Sequence, residues 1–381
     1  MRGQGYDNGA NMKGKKSGLQ KIISDMNKRA FYVPCSSHSL NLVVSDAAMS
    51  SKYAVSMFST VESLYDFFSS SVRRWDVLEK YLPNLSLKPL SDTRWESRID
   101  ALTPMRFHIG GVYDAQVHIS EEFDDVTAHE ATSLANQIKN YTFLTSLVIW
   151  YDVLLHISVV SKALQTIDIN VSEAMEMLEK TKAYFETCRT EEKFVSFLTD
   201  SKELATELEL EDLTLPRISV SRRRSKKPIH FTYEGRDETV DEPTKRYKIE
   251  FYYYLLDIVT TSLDERFNQL KSHCNYFDFL YISEMKNSPL DSQDTKCRKL
   301  AALLQHHDTS DIDALELREE LKVLSTLLKP GIGAKETLKL TGRYNFCPNV
   351  NISLRILLTL PVTVASGERS FSKLKLIKTY L

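Results

Sequence analysis

Apolar positions recur along most of the chain at spacings of three and four, the period of an amphipathic helix. Leu40, Val43, Val44 and Ala47 form one such face, behind a short apolar run Ala30–Val33 that reads as a buried strand ending at Pro34. Ser36 or Ser37 is placed to cap that helix. Met57, Val61, Leu64 and Phe68 predict a second helix over Val55–Phe68, and Tyr81–Pro89 reads as a loop. Thr93 and Glu96 have the spacing of a capping box, ahead of a stripe made by Trp95, Ile99 and Leu102. Leu134, Ile138, Tyr141, Leu144, Val148, Tyr151 and Leu155 keep the period through one long segment. Ala174, Leu178, Thr181 and Phe185 predict a further helix, and Tyr247, Phe251, Tyr254, Leu255, Ile258 and Leu263 another. Leucines 317, 321, 324 and 328 mark a helix ended by Pro330, and Asn349–Leu360 forms an apolar helix near the end. These stripes are explained by a helical core and give no reason to expect a cofactor pocket.

Strand signals cluster at the start. A short strand ends at Tyr6, and the following Asp7-Asn8-Gly9 has the chemistry of a tight turn with positive φ angles. A carboxylate at a strand end beside pliant backbone can hold a divalent metal; it can equally be a turn residue. Cys35 and His38 stand in a Cys-x-x-His step at the strand-to-helix joint. A zinc site takes about four ligands, and Cys188, Cys274, Cys297 and Cys347 lie far from one another in sequence. A structural role at the joint therefore fits better than a zinc finger. His306 and His307 are adjacent and propose no metal site. Glu368 falls in the first turn of a helix capped at Ser366, where the helix dipole favours a carboxylate.

Composition narrows the class. With 381 residues, 42% hydrophobic and 26% charged, the chain can bury a large core. A formal charge of -2 excludes a uniformly basic nucleic-acid binder, so any DNA contact must use local patches. Lys13, Lys15, Lys16, Lys21, Lys28 and Arg29 alternate with Leu19, Ile22 and Ile23, as in a short amphipathic helix with a basic outer face. Residues 214–244 read as a surface loop in which Arg222, Arg223, Arg224, Lys226 and Lys227 form a basic run between acidic flanks. That run serves equally a solvated loop, a nuclear import signal or a contact to DNA phosphates. Five scattered cysteines fit a reducing compartment. No secretory signal and no apolar run of about 18 residues is evident. Neither a P-loop nor GxGxxG, GxSxG or HExxH occurs, which leaves nucleotide-binding, hydrolase and metalloprotease readings without support in the sequence.

Four stretches in order, GQGYDNGANMKG, CSSHSLNL, SDTRWESR and LPVTVASGERSFSKL, with FYYYLLDIVTTSLDERF between them, resemble the hAT superfamily of DNA transposases. The host-domesticated and zinc-finger MYM-type relatives are the members most similar in pattern. The resemblance implies an α/β, RNase H-like core, here incomplete, split by a large all-α insertion domain. Residues 1–104 would be the N-terminal part of that core, 105–290 the helical insertion, and 291–381 the C-terminal core helices with a partial dimerisation region. By the same resemblance, Asp7 and Glu368 match the second and third carboxylates of the catalytic triad and would hold Mg²⁺. Cys35 and His38 match the Cys-x-x-His motif. Arg94 and Trp95 match an Arg-Trp pair whose tryptophan stabilises a flipped base; on spacing alone Trp95 is a core residue.

The family's first catalytic aspartate precedes the GQGYD stretch, and nothing before Tyr6 in this chain matches it. Two-metal chemistry needs the carboxylates jointly to fix ions about 3.5–4 Å apart. The expectation is thus a vestigial or incomplete triad with no cofactor as written, and a protein acting through dimerisation and DNA association in the nucleus or, failing that, the cytoplasm. The alternative is a fragment of an active Mg²⁺-dependent cut-and-paste transposase. Expected partners are a second copy or a related hAT protein and DNA, with no membrane and no small-molecule substrate.

Overall fold

The computed structural model describes residues 1–82, 85–91, 96–166, 169–215, 242–281, 285, 289–329, 332–344, 346–364, 367, 370, 373–374 and 377–378. Chain order begins with β1 (Gly3–Tyr6), α1 (Ala10–Lys13), α2 (Leu19–Met26), β2 (Phe31–Pro34), α3 (Ser36–Ala48), α4 (Lys52–Ser69) and α5 (Val72–Tyr81). It continues with α6 (Glu96–Phe107), α7 (Ile109–Glu122), α8 (Asp125–Ile138), α9 (Tyr141–Leu164), α10 (Val171–Thr187), α11 (Glu191–Glu207) and α12 (Pro243–Tyr247). A π-helical turn, Lys248–Tyr253, joins α12 to α13 (Tyr254–Phe277). Then come α14 (Leu290–Leu303), the two-residue strands β3 (Gln305–His306) and β4 (Thr309–Ser310), α15 (Ala314–Leu327), α16 (Ala334–Tyr344) and α17 (Pro348–Thr359). Two compact units result: 1–42 with 159–182 and 263–381, and 43–158 with 183–262.

In the first unit, β1 and β2 pair in parallel with Gly3 opposite Phe31 and Tyr6 opposite Pro34. The ladder runs one step past Pro34, because the Cys35 amide donates to the Tyr6 carbonyl at 2.9 Å; proline lacks a donor, and its neighbour supplies one. Neither Asn8 nor Gly9 takes a positive φ. The turn expected there gives way to α1, whose Met12 and Lys13 amides donate to the Gly9 carbonyl.

The crossover helix α2 departs from its predicted packing. Leu19, Ile22 and Met26 are exposed, and contact to β1 is made through polar groups instead. The buried Gln4 amide donates to Ser24 Oγ and to the Ala30 carbonyl, both at 3.1 Å. α3 buries its predicted face, Leu40, Val43, Val44 and Ala47. It begins at Ser36 rather than being capped there.

In the second unit, the long segment predicted from Leu134 to Leu155 is two helices. Asn140 Oδ1 accepts from the Thr142 and Phe143 amides at 2.9 and 3.3 Å, satisfying the free donors that open α9. α9 also corrects the expectation of no long apolar run: by length and composition it could cross a membrane, although 72% of its most apolar window is buried within the protein. The stripe from Tyr247 to Leu263 is shifted by the π-helical turn, whose extra residue per turn rotates the helix beyond it. Tyr254 is exposed as a result, and Tyr252, Leu256 and Val259 are buried with Tyr247, Phe251 and Leu255. The predicted helix of leucines 317, 321 and 324 forms as α15, with all three buried.

Candidate functional site

The candidate site lies in the first unit, at the C-terminal ends of the parallel strands. The register that sets Tyr6 against Pro34 leaves Asp7 and Cys35 as the next residue on each strand. Asp7 Oδ1 accepts from the Gly9 amide at 3.0 Å, so one carboxylate oxygen serves the turn. Asn8 Nδ2 donates to Ser39 Oγ on α3 at 3.0 Å. Tyr32 carries a buried hydroxyl with no hydrogen-bond partner among the described residues. Burial, with the Asp7 carboxylate, Cys35 and Tyr6 nearby, pushes that phenol up to about 12. Asn8 Oδ1 and Ser36 Oγ are likewise buried without partners there, so several polar atoms gather around the strand ends.

The far end of the chain closes over this place. The Ser36 amide donates to the Val362 carbonyl at 3.0 Å. Ser37 Oγ lies 3.2 Å from Thr363 Oγ1, and the Val364 amide donates to Cys35 Sγ at 3.5 Å. Cys35 is thus a buried fastener between the β2–α3 joint and the segment after α17. His38 stands one helical turn beyond it. All five cysteines are free thiols.

Glu368 lies outside the described residues, as do Arg94, Trp95, Arg222, Arg223, Arg224, Lys226, Lys227 and the greater part of the 214–244 loop. Among the described residues no group of three His, Cys, Asp or Glu is arranged to hold a metal ion. Of the two carboxylates predicted to hold Mg²⁺, Asp7 is the one among the described residues.

A second polar device supports the end of the chain. α17 opens at Cys347, whose φ is 59°, with Pro348 in its first turn. The Glu320 carboxylate on α15 accepts from the Asn349 and Val350 amides at 3.1 and 2.7 Å, and from Asn349 Nδ2 at 2.8 Å. A carboxylate from another helix thereby supplies the cap that Cys347 does not. Glu320→Ala strands the two backbone amides, Asn349 Nδ2 keeping Glu316 Oε2 at 3.1 Å, and is expected to cost about 1–3 kcal/mol in urea unfolding. Glu320→Gln, which keeps an acceptor oxygen, is expected to lose less. Equal losses in the two variants would count against the cap. The sequence held no signal for this role, since Glu320 reads as one more polar residue on an amphipathic helix.

His273, on α13, is buried, and its Nε2–H donates to the Tyr32 carbonyl at 2.7 Å. Burial holds its pKa below the ordinary 6.5, with the bond to Tyr32 opposing in part. The unfolded chain therefore takes up a proton on His273 at a higher pH than the folded one. Its contribution to stability is complete above about 6.5 and is lost as the pH falls toward the folded value. The urea midpoint is expected to drop from pH 7.5 to pH 5.0, and to drop less in His273→Gln. An identical drop in the variant would remove His273 from the account.

A helical protein results, whose first strands and C-terminal segment are tied together, with Tyr344 on α16, Leu358 on α17 and Leu374 and Ile377 beyond α17 exposed. Residues 339–381 match the family model described as the hAT family C-terminal dimerisation region, and this match supports membership of the hAT family.

Proposed function

We propose that this chain is a hAT transposase-derived protein that works by pairing, through residues 339–381, with a second copy or a related hAT chain. The observation that carries the reading is the match to the dimerisation region over a segment that leaves Tyr344, Leu358, Leu374 and Ile377 in solvent. Isolated apolar side chains are ordinary on a surface. Four within a matched association region are the material of an obligate interface, which commonly buries about 2,000 Å² or more.

The same proposal takes the parallel strand pair and its C-terminal fastening as part of an RNase H-like core interrupted by helices. In it Asp7 and Glu368 are vestigial catalytic positions, and Cys35 and His38 a structural motif. DNA association in the nucleus would fall to Arg94 and Trp95 and to the basic run Arg222, Arg223, Arg224, Lys226 and Lys227. Metal-dependent strand cleavage is the second reading, favoured by the position of Asp7 at a strand end among buried polar atoms without partners.

Light scattering on the full chain separates these. Expected are a dimer for the natural sequence and a monomer for Leu374→Asp/Ile377→Asp, with unchanged circular dichroism. A monomer at about 100 µM, far above the Kd of a stable obligate pair, would refute pairing with a second copy. Nicking of labelled duplex with Mg²⁺, abolished by Asp7→Ala, would establish the second reading.

A further inference from the structure

The second unit holds an open groove of about 700 Å³ between α4, α8 and the start of α9. Its size suits a small organic ligand. Among the described residues no acidic side chain lines it. One wall carries Lys52, whose ammonium has no anionic partner among the described residues and sits 5.5 Å from the Tyr53 ring centre. The opposite wall presents Ser133, Asn136 and Gln137, which α8 brings to one face at helical spacing.

The end of the groove is the N-terminus of α9, a helix of 24 residues. Asn140 Oδ1 is already committed to two backbone amides there. Its Nδ2 therefore remains as a donor toward the groove it lines. Cation, amide donors, hydroxyls and the positive end of a helix dipole add to a donor-rich, anion-accepting mouth. Beside it lies a rigid aromatic surface. Tyr53 is held edge-to-face by Tyr247 at 4.9 Å and Phe251 at 5.6 Å, and the buried Phe143 lines the same groove.

We propose that this groove binds a small phosphorylated ligand bearing a planar ring, of the size and chemistry of a nucleoside monophosphate. The phosphate sits against Lys52 and the α8 and Asn140 amides, and the ring lies on Tyr53. Neither the pairing reading nor the sequence alone, which offered no small-molecule partner, contains this site.

Isothermal titration of the full chain tests it with AMP and UMP, and with adenosine and inorganic phosphate as the separate halves. Expected is saturable one-to-one binding of the monophosphates, with each half at least about tenfold weaker. Loss of a charge-assisted bond in Lys52→Ala should weaken binding about tenfold or more, and Asn136→Ala should weaken it by a smaller factor. Both side chains are exposed, so melting temperatures should not move, which separates lost binding from lost folding. Lack of saturable binding up to about 1 mM, at the weak end of specific affinities, would overturn the proposal. Equal affinity in both variants, or phosphate binding as tightly as AMP, would overturn it too.

Discussion

Trp150→Ala is expected to remove about 3–5 kcal/mol from the stability of the second unit. Trp150 lies at the middle of α9 with no exposed surface, in a run from Leu147 to Trp150 in which every residue is buried. A helical stretch buried on all sides has no solvent-facing side from which the structure can relax into a cavity. The indole meets the Phe58 ring edge-to-face at 5.0 Å, and the Arg98 guanidinium lies 5.0 Å from the same Phe58 ring. Truncation therefore removes one ring of an edge-to-face pair as well as a large buried volume. Trp150→Phe sharpens the test, because the indole N–H finds no acceptor among the described residues. Replacing it by an apolar ring forfeits no hydrogen bond and is expected to cost under about 1.5 kcal/mol. Urea unfolding followed by circular dichroism measures both. A Trp150→Ala variant within about 1 kcal/mol of the natural protein would show that the site collapses around the loss.

Where burial alone shapes an element, its sequence period was readable. α3, α4 and α15 bury the residues their spacing selects, because one apolar face meeting a core leaves a simple signature. Where a backbone event or a polar contact intervenes, the period misleads. The break before α9 is made by one capping side chain, Asn140, which in a polar position looks like any helix-surface amide. The π-helical turn moves Tyr254 into solvent by an insertion that leaves the apolar spacing nearly intact. α2 is docked by Gln4 and Ser24 while Leu19, Ile22 and Met26 stay outside, the reverse of what an amphipathic pattern predicts. At the candidate site, Asp7 and Cys35 were readable as strand-end residues. Tyr32 was readable only as strand filler, and its position beside Asp7 depends on register, which sequence spacing does not carry.

Gly5→Ala is expected to loosen the joint between the two ends of the chain, costing about 1–3 kcal/mol, the range for an overpacked contact. A Cβ built at Gly5 would lie 2.2 Å from Pro361 Cγ and 3.3–3.4 Å from Pro361 Cδ and Cβ. The proline ring has no rotamer through which to retreat, so either β1 or the segment after α17 must shift. That segment is the one tied to the β2–α3 joint through Ser36, Ser37 and Cys35. The strain thus falls inside the region matched to the hAT dimerisation family. A compensating change distinguishes this cause from a generic loss of stability. Pro361→Ala deletes the two ring carbons Cγ and Cδ and leaves a Cβ at ordinary contact distance. Gly5→Ala/Pro361→Ala should therefore recover part of the loss, giving a positive coupling in a double-mutant cycle. If pairing depends on how 361–364 is held, light scattering should show weaker self-association in Gly5→Ala and its partial return in the double variant. Additive stability losses would place the damage elsewhere in β1. Restored stability without restored pairing would separate the strand-end joint from the association surface.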